Sequence, residues 1–288
     1  MKILVLSIYL ILGSVNAFGQ DELLDMLSET QDSVSLPVTS TFKGTRLING
    51  HSVETRGAGI LEFVISHRFG ELSSGAYNLF GLDNSNIRFG LEYALTDKLY
   101  LGLGRSSFEK TFDGFIKYRV VRQMQQSGSP VSVTLFGSGT IKTLRTPEDQ
   151  EFADKLAYAS QVLIARKFSE KVSLQLMPTY LHYNLIESED TNNDLFACGF
   201  GGRVKISKRV AINAEYYYQF RKLNEETYNS LAIGVDIETG GHVFQIQLTN
   251  SRSMIEKGFI GETYNNFFDG DIHLGFNITR AFQVAKQQ

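Results

Sequence analysis

Between Asn86 and Val121 the chain alternates with a period of two. Ile87, Phe89, Leu91, Tyr93 and Leu95 fall on one face, and Arg88, Gly90, Glu92 and Ala94 on the other. After Thr96-Asp97-Lys98 the pattern restarts, with Leu99, Leu101 and Leu103 against Tyr100, Gly102 and Gly104. Such alternation belongs to a sheet with one apolar and one polar face. The rest of the chain repeats the unit. Candidate strands span 59–69, 86–96, 99–108, 112–123, 130–142, 155–168, 172–185, 194–206, 210–221, 229–239, 242–252 and 271–283. The strand at 155–168 is the least regular, because Arg166 falls on its apolar face.

Turn parity tests this register, since directly paired residues share a face. Loops at 96–98, 169–171 and 207–209 pair Leu95 with Leu99, Phe168 with Val172 and Ile206 with Val210. A Gly240-Gly241 turn pairs Glu238 with Val243 and Ile237 with Phe244. Connections also alternate, short after even strands and longer after odd ones, except that the loop after the third strand is only moderately long. Outer-membrane barrels show this, with the short turns periplasmic.

The polar faces carry too many charges for a dry core, which argues against a soluble sandwich, since burying an unpaired charge costs several kcal/mol. About 9–11 tilted strand residues cross the hydrocarbon, and closing the sheet removes edges that lipid does not tolerate. The expected fold is all-β, a closed antiparallel up-and-down transmembrane barrel of about 12 strands in the cell outer membrane. Tryptophan is absent, so Tyr93, Tyr118, Tyr158, Tyr180, Tyr216, Tyr218 and Phe276 are the expected interfacial girdle.

The N-terminal part reads differently. Lys2, the apolar run Ile3–Leu12 and Val15-Asn16-Ala17 form a signal peptide over 1–17, with Gly19 as the alternative cleavage position. Residues 18–57 are a periplasmic or plug segment, with a short helix at 21–27 and a hairpin turning at Asn49-Gly50. The barrel takes 58–288. The lone Cys198 excludes an intrachain disulfide. A net charge of −3, with bases dispersed among acids, makes nucleic acid an unsuitable partner.

No enzyme motif emerges. Gly102-Leu103-Gly104-Arg105-Ser106-Ser107 lacks the strand-to-helix setting of a phosphate loop. The five histidines lie outside metal-ligand spacing. Ser66 and His67 point to opposite faces and cannot act together. No catalytic residue, cofactor or metal is expected. The expected lumen-lining residues are Glu62, Arg88, Glu92, Lys117, Arg119, Arg203, Lys205, Asn213, Glu215, Asp236, Glu238, Gln245, Gln247 and His273. Basic strands face acidic ones in this set, an arrangement that screens charged solutes in a pore. The alternative is that these charges pair with one another or with residues 41–55 and close the lumen. Eight strands fill with side chains and 16–18 leave a channel, so twelve alone does not decide. Expected partners are outer-membrane lipid, with a small polar solute or a periplasmic protein. A narrow channel and a plugged, partner-binding barrel are the two functional readings, with a barrel hydrolase third.

The words T-F-K-G-T-R-L-I-N-G-H-S-V-E-T (41–55), I-S-H-R-F-G (65–70), G-A-Y-N-L-F-G-L-D (75–83), G-L-E-Y (90–93), G-R-S-S-F-E-K-T-F-D-G-F-I-K-Y (104–118) and P-V-S-V-T-L-F (130–136) resemble a family of outer-membrane β-barrels of Bacteroidota catalogued as a domain of unknown function. The resemblance implies a barrel in a Bacteroidota outer membrane. It implies no substrate, reaction or site residue.

Overall fold

A computed structural model of the chain describes residues 35–145, 150–185, 192–223 and 225–285. The expected signal peptide and the helix at 21–27 lie outside the described residues. The period of two becomes twelve strands: β1 (Ile60–Glu71), β2 (Ser85–Ala94), β3 (Leu99–Ser106), β4 (Phe112–Val121), β5 (Ser132–Ile141), β6 (Leu156–Lys167), β7 (Val172–Tyr183), β8 (Asp194–Lys205), β9 (Val210–Gln219), β10 (Ser230–Thr239), β11 (His242–Thr249) and β12 (His273–Gln283). Each strand pairs antiparallel with its neighbours in sequence, and β1 pairs with β12 to close the barrel.

The register follows the turn argument. Leu95 N–H donates to Leu99 O, Phe168 N–H to Val172 O and Ile206 N–H to Val210 O, each at 2.9 Å. Glu238 faces Val243 and Ile237 faces Phe244 across the Gly240-Gly241 turn. Both glycines have positive φ, +46° and +106°, which the two-residue turn requires.

Apolar side chains face out. Leu103 is 72% exposed, Ile246 54% and Phe200 52%. In water such a wall forfeits about 25 cal/mol per Å² of apolar area, whereas hydrocarbon accepts it. No described helix is long and apolar enough to cross a membrane. Arg166, the break in the β6 pattern, faces outward near the short-turn rim. Its guanidinium lies 5.2 Å from the Phe168 ring.

The interior is not left to solvent. Residues 41–53 are buried or nearly so, and the chain turns back on itself between Arg46 and His51. From the long-loop side, the β11–β12 connection dips inward and forms a short helix, α1 (Glu256–Gly261), whose residues are all buried. Spacing alone reads this stretch as an outer loop. Its Ile255, Phe259 and Ile260 give it an apolar face, which it buries in the barrel mouth.

Candidate functional site

Glu215 of β9 points inward because its strand alternates, and it is 1% exposed. Among the described residues no lysine or arginine forms an ion pair with it. Instead its carboxylate receives the backbone N–H groups of Ile48 (3.2 Å), Asn49 (2.8 Å) and Gly50 (3.2 Å). Gly50 is required here by close approach: a Cβ would run into the Tyr217 hydroxyl. Successive N–H groups aimed at one carboxylate form an anion-binding concavity. Each hydrogen bond to a charged group contributes about 1.5–3 kcal/mol.

Other wall residues hold the same segment by its main chain. Gln175 of β7 accepts from Val53 N–H (2.7 Å) and donates to His51 O (2.8 Å). Gln245 of β11 donates to Leu47 O (2.7 Å), Asn277 of β12 to Ile48 O (3.0 Å) and Thr134 of β5 to Val53 O (2.8 Å). The Lys117 ammonium of β4 donates to Ser52 O (2.8 Å), Glu54 O (2.6 Å) and Thr45 O (3.3 Å). Buried main-chain groups must find partners, and here the barrel wall supplies them.

Charge pairing runs through the segment as well. Glu62 of β1 and Glu92 of β2 lie directly opposite each other. Like charges in that position destabilise a sheet. Arg46 meets Glu92 at 3.0 Å and Arg56 meets Glu62 at 2.5 Å. The Tyr100 hydroxyl sits between the two carboxylates, 2.6 Å from Glu62 and 3.0 Å from Glu92. Arg88 is instead paired within the wall, with Asp113 of β4, its Nε donating at 2.9 Å. Gly104 of β3 leaves the room Arg88 occupies, and Gly102 does the same for the Phe115 ring. These glycines are packing devices.

Towards the short-turn rim, Arg203 donates to Ser40 O (3.0 Å), and Lys43 pairs with Glu238. Asp236 accepts from Gln245 at 2.8 Å. Arg119 and Lys205 are half-buried at this rim, with Arg119 donating to Asp97 O. Asn213 is buried. Gln247 lies against Asn277 and Arg68, and His273 is buried near the opposite rim. The chain leaves the barrel beside the β4–β5 turn. There Val38 N–H donates to Gln123 O (2.7 Å) and Gln125 N–H to Leu36 O (2.9 Å).

At the other end the segment meets α1. The His51 ring sits 4.5 Å from each of Phe115 and Phe136, and its Nε2 is 3.7 Å from Glu256 Oε1. Burial, then the Arg46, Lys117 and Arg88 cations, hold the His51 imidazole well below its usual range. Burial pushes the Glu256 carboxyl up to about 7. Phe259 packs edge-on against Tyr217 at 5.2 Å, so that ring is a wall for α1. Tyr183 OH donates to Lys257 O (2.7 Å), and Gln219 donates to Ile260 O (2.7 Å).

Sequence reasoning left Arg68, Asp113, Thr134, Gln175 and Asn277 out of the lumen set. All occupy inward positions of their strands, so parity alone could have found them. Ser66 is buried inside, while His67 faces out and stacks on Phe276 at 4.9 Å. Among the described residues no cluster of three metal-ligating side chains exists.

No curated protein matches the sequence. Several solved structures resemble the fold. The NanC porin has 8% identity and a TM-score of 0.48, covering 77% of this chain and 98% of its own. The COG4313 outer membrane channel from Pseudomonas putida F1 has 13% identity and a TM-score of 0.48, covering 80% and 98%. The Acinetobacter baumannii outer membrane protein Omp33 has 7% identity and a TM-score of 0.43, covering 77% and 97%. The model of the family described as "Membrane bound beta barrel domain (DUF5777)" matches residues 42–282, a span that takes in both the luminal segment and the barrel, and the chain belongs to that family.

Proposed function

We propose that this outer-membrane β-barrel is a plugged one, with residues 41–55 as its stopper. Any passage of small polar solutes then requires that segment to move. The observation that carries this reading is the grip of Glu215 on three successive N–H groups of the segment. A carboxylate committed to main-chain donors in a buried site is poorly arranged to line an open water path. The family match supports the reading, because it includes residues 42–55 with the strands. We assign the protein no reaction, and take its membrane to be that of a Bacteroidota cell.

Planar-bilayer recording tests it. The intact protein is expected to be nearly silent. Glu215→Ala, which leaves three buried N–H groups without an acceptor, is expected to give frequent openings. Equal, steady current from both proteins would defeat the proposal.

The route of the chain past the β4–β5 turn favours a second reading, in which a periplasmic protein takes hold of the segment. The Val38–Gln123 and Gln125–Leu36 hydrogen bonds lie at the short-turn rim, where such a partner has access. Crosslinking from a photoreactive residue at Leu36, which is 55% exposed, tests this. A discrete adduct in cells supports it, and no adduct from any position of 35–39 counts against it.

A further inference from the structure

On the long-loop rim, away from the luminal segment, a cleft of about 310 Å³ opens between Gly70, Glu71, Ser74, Asn84, Arg252 and His273. That volume is at the lower end of small-molecule sites, roughly 300–1,000 Å³. Its polar groups are under-used. Arg252 makes no ion pair among the described residues, and its guanidinium lies 5.3 Å from the Phe108 ring. Glu71 accepts from Asn265 Nδ2 (2.8 Å) and Ser73 Oγ (3.4 Å), and it too has no cationic partner. His273 is fully buried. Its Nδ1 lies 3.0 Å from Phe69 O, so that nitrogen carries the proton and Nε2 is a bare acceptor with no partner.

One cleft is thus lined by an arginine and a glutamate that do not pair with each other, and by a buried histidine whose Nε2 has no partner. A simple anion would satisfy Arg252 but face Glu71. A simple amine would do the reverse. We propose that the cleft binds a small zwitterion of the α-amino-acid type, its carboxylate on Arg252 and its ammonium on Glu71. Asn84 adds an amide at the same wall. The site faces the outside, since it lies on the rim opposite the short turns. Arg252 stands just before the buried stretch 253–261 that contains α1, so the ligand would sit beside the inner closure without needing it to open. The proposal is therefore independent of whether residues 41–55 act as a stopper.

Isothermal titration of the full-length protein in detergent tests it, with L-alanine as probe and acetate and methylammonium as its two halves. Saturable binding of alanine in the millimolar range or tighter is expected. Arg252→Gln and Glu71→Gln should each weaken it about tenfold or more, and neither half-probe should match alanine. Arg252 is exposed, so its variant is expected to melt as the parent does, which keeps the test valid if Glu71→Gln misfolds. No saturable binding would overturn the proposal. So would alanine binding that ignores Arg252→Gln, or acetate binding as tightly as alanine.

Discussion

Glu215 makes no side-chain ion pair among the described residues, yet it fixes the position of a segment more than 160 residues away in sequence. Replacing it separates two contributions. Glu215→Gln keeps one acceptor oxygen and removes the charge. Glu215→Ala removes both and leaves the N–H groups of Ile48, Asn49 and Gly50 unmatched, at about 1–3 kcal/mol each. Tryptic cleavage after Arg46 in the folded protein reads the difference. Cleavage is expected to rise by about a hundredfold in Glu215→Ala and by clearly less in Glu215→Gln. Identical rates in the parent and both variants would show that Glu215 does not hold the segment. Lys117→Met makes a second test, since it removes the donor shared by three carbonyls. An increase in cleavage of about tenfold or more is expected. These partners could not be read from sequence. Parity told which side chains face inward, but nothing in the chain says that an inward glutamate on β9 meets Asn49 and not a wall arginine.

Elements were far more legible. Side-chain parity and turn length together determine pairing, so Leu95 opposite Leu99 and Glu238 opposite Val243 follow from residue type alone. The turn at 240–241 can be challenged directly. Gly240→Ala with Gly241→Ala forces two Cβ atoms into positive-φ backbone, at about 1–2 kcal/mol per residue. A lower melting temperature with unchanged strand content is expected in circular dichroism. An unchanged melting temperature would contradict the turn geometry. The β11–β12 connection is the opposite case. It has no strand period and reads as a loop, because its inward fold depends on Tyr183, Tyr217 and Gln219, which belong to strands remote in sequence. Phe259 is fully buried there. Phe259→Ala is expected to cost about 3–5 kcal/mol in chemical denaturation. A loss below about 1 kcal/mol would mean that α1 is not packed in the mouth.

For the whole molecule, twelve strands set a bore that side chains alone do not fill, and the chain supplies residues 41–55 from one side and 253–261 from the other. The segment also neutralises the wall it lies against. With Arg46 of the segment and Arg56 just beyond it gone, Glu62 and Glu92 would face each other without the cations that pair with them directly. Breaking a buried ion pair by removing one partner costs about 3–5 kcal/mol. The barrel and its segment are therefore one electrostatic unit, and the charged faces that exclude a soluble sandwich are the same ones that seat the segment. Tethering offers a direct check. Asn49 Nδ2 lies 3.3 Å from Thr249 Oγ1, so cysteines at both positions (N49C, T249C), oxidised onto a short bis-methanethiosulfonate linker that reduction releases, tether the segment to β11 in the full-length chain. Single-channel recording of that double variant, first oxidised and then reduced, against the variant that also carries Glu215→Ala, tests the central claim. The account predicts openings in the reduced triple variant that vanish on oxidation and return on reduction. A steady current through the oxidised protein, equal to that of the reduced one, would show that the lumen conducts with its segment locked in place and would contradict the account.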